Sequence, residues 1–224
     1  MKPERRMLRD IERGVEYTRH LTGKEAFAKR VMDAFERVPR QEFVPEDLRG
    51  RAYDDAPLPI GGGQTISQPY IVALMTDLLE TQPDDIVLEV GTGSGYQAAI
   101  LSGLVRQVYS IEVIEALATE ARARLRRLGY ANVEVRSGDG YNGWPEHAPF
   151  DGIIVTAAAP FIPEPLVEQL KPGGRLVIPV GVPYGEQDLM LVEKTPEGET
   201  RSRRILAVAF VPLTRRQGDE HSAG

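Results

Sequence analysis

The sequence predicts an α/β domain with a doubly wound, mostly parallel sheet, an N-terminal helical extension and an antiparallel C-terminal edge. Beyond Pro69 strand-like and helix-like segments alternate, which is typical of a parallel sheet covered on both faces. Helically spaced apolar residues precede the first strand-like segment. Near the end, the turn signal Pro196-Glu197-Gly198 separates two apolar runs and predicts a hairpin.

Two helices are expected before any strand. The first is indicated by apolar residues at helical spacing, which are Leu8, Ile11 and Val15. The second spans Glu25 to Val38 and is stopped by Pro39. From Pro39 to Pro69 the periodicity disappears, and several prolines together with the run Gly61-Gly62-Gly63 predict a long irregular connection.

The strands follow as short apolar runs. Those of the parallel part are predicted at Ile86 to Val90, Val105 to Ile111, Val133 to Arg136, Ile153 to Thr156 and Arg175 to Pro179. Those of the antiparallel edge are predicted at Leu189 to Lys194 and Arg203 to Val211.

Composition excludes several classes of function. The chain has 224 residues and 42% hydrophobic content, as expected for one globular domain. Its 27 basic and 33 acidic side chains give a net charge of -6, which disfavours general binding to nucleic acid. There is no cysteine and there are only three histidines, so a thiol nucleophile is excluded and a transition-metal site is not expected. No apolar run reaches the length of a signal peptide or a membrane span, so we expect a cytoplasmic protein without a membrane partner.

A nucleoside site is predicted where the first strand of the sheet ends. The strand runs directly into Gly91-Thr92-Gly93-Ser94-Gly95, and such glycines let the backbone approach a ligand. Glu112 ends the next strand, 21 positions after Gly91, where an acidic side chain accepts hydrogen bonds from ribose hydroxyls. Tyr96 stands where a dinucleotide site has its third glycine, which disfavours an NAD-dependent dehydrogenase. A strand-to-helix turn without a ligand is the structural alternative.

Two further carboxylates lie at strand ends. Glu89 at the end of the first strand suits the ammonium of a methionine moiety better than a pyrophosphate. Asp139, followed by Gly140, closes the third strand, where it is placed to accept a hydrogen bond from an adenine amino group. A simple Asp-Gly turn remains the alternative for this pair.

Four segments then point to one family. They are Gln64-Thr65-Ile66-Ser67-Gln68-Pro69-Tyr70, Asp151 to Pro160, Leu170 to Leu176 and Phe210 to Thr214. Together they resemble signature blocks of the protein-L-isoaspartate O-methyltransferases, and the resemblance covers roughly Val38 to Thr214. It implies a Rossmann-like methyltransferase that transfers a methyl group from S-adenosylmethionine to the free α-carboxyl of L-isoaspartyl residues in damaged proteins and peptides, which initiates their repair. Ser67 matches the active-site serine of that family.

The pattern and the resemblance together give a predicted site. Ser67 is the expected catalytic residue, and no metal is expected. The expected cofactor-binding residues are Gln64, Thr65, Ile66, Ser67, Glu89, Gly91, Thr92, Gly93, Ser94, Gly95, Glu112, Val113, Asp139, Gly140 and Thr214. We expect one domain, in which residues 1–68 form the helical extension and active-site loop, 69–214 the cofactor-binding core and 215–224 a loose tail. The sequence makes no prediction of oligomeric state.

Three alternatives stay open at this point. Ser67 is also suited to cap the helix that Pro69 begins. The segment Pro57 to Gln68 is either a mobile loop that folds over cofactor and substrate or an ordinary linker. A methyltransferase acting on RNA or a small molecule would share the cofactor half, but only the basic runs Arg122 to Arg127 and Arg201 to Arg204 favour RNA. A binding protein without activity would predict a degraded glycine turn, which the sequence does not show.

Overall fold

The computed structural model describes residues 2–215 of the chain. Its helices are α1 Pro3–Thr22, α2 Lys29–Arg37, α3 Pro69–Leu78, α4 Tyr96–Ser102, α5 Glu115–Arg127 and α6 Glu164–Glu168. Its strands are β1 Leu58–Gly61, β2 Gln64–Ile66, β3 Ile86–Val90, β4 Gln107–Glu112, β5 Val133–Ser137, β6 Phe150–Val155, β7 Leu170–Gly181, β8 Gln187–Lys194 and β9 Thr200–Val208. The part of the predicted tail at 216–224 lies outside the described residues.

Seven strands form one sheet in the order β5-β4-β3-β6-β7-β8-β9. The strands from β5 to β7 are parallel, whereas β8 and β9 are antiparallel, which confirms the predicted sheet and its edge. The chain leaves β3 in one direction through β4 and β5 and then returns to β6 on its other side. This reversal creates a crevice beyond the carboxyl ends of β3 and β6, where ligands bind in such sheets.

Apolar residues cover both faces of the central strands. Val87 and Ile154 belong to one buried cluster, whereas their neighbours Leu88 and Ile153 belong to another. Because successive residues of a strand point to opposite faces, the two clusters lie on opposite sides of the sheet. The first cluster also contains the buried face of α1, formed by Met7, Ile11 and Val15. The N-terminal extension therefore packs onto the same core as the sheet.

The second helix is shorter than predicted. It begins at Lys29, not at Glu25. The backbone N–H of Ala28 donates to Asp77 Oδ1 at 2.7 Å, so a side chain of α3 caps the start of α2. Asp77 also pairs with Lys24 at 2.9 Å. A capping group that lies 49 residues away in the chain leaves no local signal, which explains the misplaced boundary.

The segment between Pro39 and Pro69 is more ordered than predicted. It contains short 3₁₀ segments at Arg40–Phe43 and Glu46–Arg51, followed by an antiparallel hairpin of β1 and β2. Gly62 and Gly63 form the hairpin turn after Gly61 ends β1, and all three glycines have positive φ. The prediction of a fully irregular connection was therefore wrong.

Candidate active site

The glycine-rich turn after β3 is fixed from two sides. Gly91 has a φ of 95°, and its N–H donates to Ile111 O of β4 at 2.8 Å. On the other side, Thr156 Oγ1 donates to Gly91 O at 2.5 Å. A Cβ added at Gly91 would lie 2.4 Å from Thr156 Oγ1, so only glycine fits here. These contacts fix the backbone of the turn at the crevice between β3 and β6.

Glu112 occupies the place expected of a ribose acceptor. Its side chain is buried, Oε2 accepts the N–H of Gly93 at 2.8 Å, and Oε1 accepts the N–H of Ile114 at 3.0 Å. Each carboxylate oxygen can accept more than one hydrogen bond. Both oxygens therefore retain acceptor capacity, and the residue lies in the wall of the crevice.

Glu89 supports the turn from behind, which differs from the direct contact expected from the sequence. It is 0% exposed and is absent from the wall of the crevice. Ser110 donates to Glu89 Oε2, and Ser110 Oγ also lies 2.6 Å from Thr92 Oγ1. Burial raises the pKa of the Glu89 carboxyl to about 8, and the neighbouring Glu112 adds to the rise, whereas the hydrogen bond from Ser110 lowers it. Burial therefore favours the protonated form of Glu89, and its Oε1 has no hydrogen bond within residues 2–215.

Asp139 has one oxygen in use and one without a hydrogen bond. Oδ1 accepts the N–H of Tyr141 at 2.9 Å and caps the 3₁₀ segment Gly140–Asn142. Oδ2 is buried and has no hydrogen bond within residues 2–215, although Arg215 Nη1 lies 3.9 Å away. Such a buried acceptor is costly unless a partner reaches it. The adjacent Gly140 lies in the wall of the crevice.

The β1–β2 hairpin lies across the glycine-rich turn. A Cβ at Gly93 would be 3.3 Å from Ile60 Cδ1, and one at Gly62 would be 3.5 Å from Ile114 Cδ1. The hairpin thus covers the crevice from the side opposite the sheet. Its position agrees with a loop that folds over a ligand, and its motion remains a prediction.

The crevice brings most of the predicted site residues together. Those in its wall are Gln64, Thr65, Ile66, Ser67, Gly91, Thr92, Gly93, Ser94, Glu112, Val113, Gly140 and Thr214. Those outside the wall are Glu89, Gly95 and Asp139. Sequence reasoning missed several others, among them Gln97, Ile114, Thr156, Ala157 and Leu213. Thr156 and Ala157 belong to the Asp151 to Pro160 block that carried the family resemblance, so that block held the signal for them.

A second groove adjoins the crevice. The residues that line both are Thr65, Ser67, Thr156 and Val211. The remaining wall of the groove is formed by Pro57, Gln68, Ile71 and the stretch from Ala207 to Phe210. Among the described residues, its lining contains no charged side chain. The two cavities therefore meet at three hydroxyl-bearing side chains and one valine, and Ser67 is one of the three.

Ser67 is not the N-cap of α3, so the capping interpretation was wrong. Gln68 is the N-cap, without a side-chain capping bond. Asp55 performs this task instead, since its Oδ1 accepts the N–H of Tyr70 at 2.9 Å and its Oδ2 accepts from Gln68 Nε2 at 2.9 Å. The hydroxyl of Ser67 forms no hydrogen bond within residues 2–215 and is available to a ligand.

The groove wall beyond β9 is held by a side chain. Strand β9 ends at Val208, three residues earlier than predicted. Past it, Gln187 Oε1 accepts the N–H of Phe210 at 2.7 Å, and Gln187 Nε2 donates to Phe210 O at 3.0 Å. Val211 O then accepts from Ala158 N at 2.8 Å. The side chain of Gln187 thus takes the role of a neighbouring strand and directs the chain past Ser67.

Residues 2–215 contain neither a cluster of metal-ligating side chains nor a membrane-spanning helix. Within the part of the chain that the structure describes, no group of three or more His, Asp or Glu side chains is arranged to hold a metal ion. No helix between residues 2 and 215 is long and apolar enough to cross a membrane.

Known proteins resemble this chain over most of its length. The family model described as protein-L-isoaspartate(D-aspartate) O-methyltransferase matches residues 18–218. A protein-L-isoaspartate O-methyltransferase 2 of Nitrosococcus oceani is 64% identical over 214 residues, which are 96% of this chain and 97% of that protein. A protein of the same description from Syntrophobacter fumaroxidans is 65% identical over 209 residues, which are 93% of this chain and 85% of that protein.

Solved structures agree with this. One described as a protein-L-isoaspartate O-methyltransferase superposes with a TM-score of 0.82 at 28% identity, covering 94% of this chain and 66% of that one. A Plasmodium falciparum protein, crystallised in complex with S-adenosyl-L-homocysteine, superposes with a TM-score of 0.74 at 24% identity and covers 92% of this chain and 98% of that one. At that identity the second likeness shows the fold alone.

Proposed function

The chain belongs to the protein-L-isoaspartate(D-aspartate) O-methyltransferase family, and on that premise we propose how its residues divide the methylation of isoaspartyl residues. The acceptor is the free α-carboxyl of an L-isoaspartyl residue in a damaged protein or peptide, and the methyl donor is S-adenosylmethionine. Two cavities of different character meet at Ser67, and this observation is the basis for the assigned roles. One has the features of a nucleoside site, and the other is an uncharged groove.

The residues of the crevice fit the donor. Glu112 retains acceptor capacity for ribose hydroxyls, and the unsatisfied Oδ2 of Asp139 suits the amino group of adenine. The positive φ of Gly91 and Gly93 brings the backbone close to the ligand. Segment 64–67 of the hairpin closes the remaining side. Once bound there, S-adenosylmethionine supplies a methyl group on a positively charged sulfur.

The uncharged groove suits the acceptor. A carboxylate is already ionised at neutral pH, so it attacks without a general base. A cation in the groove would stabilise the carboxylate before reaction and reduce its nucleophilicity, whereas a hydroxyl orients it at lower cost. Ser67 is the hydroxyl at the junction of both cavities, and Thr65 and Thr156 lie beside it. We assign Ser67 the orientation of the acceptor carboxylate.

We place the peptide that carries the acceptor carboxylate in the same groove. Residues Ala207 to Val211 continue past the end of β9 at the edge of the sheet, where an extended peptide can add its own backbone hydrogen bonds. The hairpin and its flanking residues, from Pro57 to Gln68, thus supply one wall of the substrate site. Residues of the core supply the other wall and most of the cofactor crevice, which segment 64–67 closes.

One of the two basic runs that favour an RNA substrate is largely engaged in contacts within the molecule. Of the four arginines between 122 and 127, three are engaged inside the molecule: Arg122 with Val135 O, Arg124 with Ser94 O and Arg127 with Glu42. An arginine side chain that is engaged in contacts within the protein is not free to neutralise a phosphate.

Replacement of Ser67 by alanine tests the assignment. We expect Ser67→Ala to lower kcat with an isoaspartyl peptide by about 10-fold or more, because an orienting donor acts mainly in the transition state. The dissociation constant of S-adenosylhomocysteine should stay within about twofold, and the free energy of unfolding within about 0.5 kcal/mol, since Ser67 caps no helix.

The matched control is Ser202→Ala, which removes the same hydroxyl from an exposed position of β9. The aspartyl twin of the peptide controls for the substrate. Methylation of neither peptide by the wild-type protein would contradict the function itself. Wild-type turnover in a folded Ser67→Ala variant would contradict only the role of Ser67.

A further inference from the structure

Arg40 is a charged side chain in an unusual place. It is 0% exposed, and no carboxylate within residues 2–215 pairs with it directly. Burial lowers the pKa of its guanidinium, and the nearby Tyr96 and Asp55 oppose that shift. Burying a cation without an ion pair is costly, so a folded protein keeps such a group only where its hydrogen bonds offset the cost.

Those hydrogen bonds all go to the backbone of one segment. Arg40 Nε donates to Ala52 O at 2.7 Å. Arg40 Nη2 donates to Ser67 O at 2.9 Å and to Ala56 O at 3.4 Å. Ala52 and Ala56 precede the β1–β2 hairpin, whereas Ser67 follows it directly. One guanidinium therefore ties together the two ends of the hairpin and fixes the backbone of Ser67.

The same guanidinium touches the cofactor side of the site. It stacks over the ring of Tyr96, 4.8 Å from the ring centroid. Tyr96 is the first residue of α4, directly after the glycine-rich turn, and it lines the crevice. Arg40 thus joins the segment that carries Ser67 to the turn that faces the donor. A lysine offers its donors from a single flexible nitrogen and cannot reproduce this planar fork.

We propose that Arg40 is a positioning residue for methyl transfer, which sets the place of the Ser67 hydroxyl relative to the glycine-rich turn by binding the backbone on both sides of the hairpin. The proposal rests on the orienting role assigned to Ser67. It assigns Arg40 no contact with either ligand.

The experiment is a double-mutant cycle of Arg40→Lys and Ser67→Ala, with kcat, KM and the dissociation constant of S-adenosylhomocysteine measured for each variant. We expect Arg40→Lys to lower kcat by about 10-fold and to change cofactor affinity by less than about threefold, because Glu112 and Ile111 hold the turn independently. In the Ser67→Ala background the same replacement should lower kcat by less than about twofold, since the group that it positions is already gone.

Arg30→Lys is the matched control. Arg30 also donates to two backbone carbonyls, those of Thr81 and Leu104, but at a place remote from both cavities. Its replacement should lower the melting temperature and leave kcat unchanged. If Arg40→Lys does not fold, Arg40→Gln replaces it in the cycle, because a glutamine keeps a planar NH₂ donor but cannot reach the carbonyls on both sides of the hairpin.

Each possible result either supports or overturns the positioning role of Arg40. A loss of kcat that is equal in both backgrounds, or no loss in a folded Arg40→Lys variant, overturns the proposal and makes Arg40 a structural residue like Arg30. The same two outcomes overturn it when Arg40→Gln replaces Arg40→Lys. Wild-type turnover of Ser67→Ala alone would instead contradict the proposed role of Ser67.

Discussion

Glu112→Gln should weaken the binding of S-adenosylhomocysteine through the ribose. In the structure, the two carboxylate oxygens each accept one backbone N–H, from Gly93 and from Ile114, and each keeps capacity for a second bond. A glutamine keeps the shape but has one acceptor oxygen, and its NH₂ group must face one of those N–H donors. Hydrogen bonds to a charged group contribute about 1.5 to 3 kcal/mol. That range corresponds to an affinity about 10- to 150-fold lower.

Calorimetric titration measures this loss, and an altered ligand separates its two causes. Disturbance of the turn weakens every ligand, whereas loss of the ribose contact matters only when the hydroxyls are present. We therefore expect the penalty of Glu112→Gln to shrink to less than about threefold with an analogue that lacks both ribose hydroxyls. Glu120→Gln, which makes the same charge change at an exposed position of α5, should bind like the wild type.

Two outcomes would refute this reasoning. Unchanged affinity in a folded Glu112→Gln variant would show that the ribose is held elsewhere. An equal penalty for the natural ligand and for the analogue would show that Glu112 only maintains the turn.

Two further predictions concern the turn itself. Because burial raises the pKa of Glu89 from 4.5 to about 8, the folded state holds its proton more tightly than the unfolded state, and the stability from this group falls as the pH rises from about 4.5 to 8. Urea unfolding should therefore show that Glu89→Gln gains stability relative to wild type across that window, and a constant difference would contradict the protonated state. Gly91→Ala should be more destabilising than Gly129→Ala by about 1 to 3 kcal/mol in the same assay, because both have positive φ but only the Cβ at Gly91 meets Thr156 Oγ1. Equal losses would mean that Thr156 moves aside.

The strands, and the edge of the sheet at which the predicted cofactor site lies, could be predicted because their sequence signals are local. β3 has the predicted bounds, and the turn after it follows from three closely spaced glycines. The bounds of β7 were predicted less well. The strand extends from Leu170 to Gly181, whereas Arg175 to Pro179 was predicted. The added residues include Pro172, Gly173 and Gly174, which favour turns by themselves. They pair with neither neighbour: Leu170 pairs with Phe150 and Arg175 with Gly152 of β6, and the residues between them form an irregularity inside the strand.

Long-range polar contacts left no comparable signal. Gln187 and Arg40 shape the walls of the site by binding backbone groups of segments that have no regular secondary structure, and Asp55 does so by binding the first turn of α3. Their partners lie between 12 and 27 residues away, at no fixed period. A buried arginine in the sequence looks like any surface arginine until the fold surrounds it. The order of segment 39–69 was therefore underestimated, and its functional importance rested on the family resemblance alone.

Glu89 shows that a position at a strand end does not fix the direction of the side chain. It was predicted at the end of a strand that meets the ligand edge, and it is there. In a parallel sheet covered on both faces, however, alternation carries no contrast between polar and apolar sides, so the sequence does not tell which way a strand-end carboxylate points. The strand register determines this direction. Glu89 lies directly beside Ser110 of β4, and the Ser110 hydroxyl donates a hydrogen bond that holds the carboxyl next to that strand. The available signal was Ser110, which is flanked by Tyr109 and Ile111 and is completely buried in β4. Such a residue requires a hydrogen-bonding partner on an adjacent strand, and Glu89 meets that requirement.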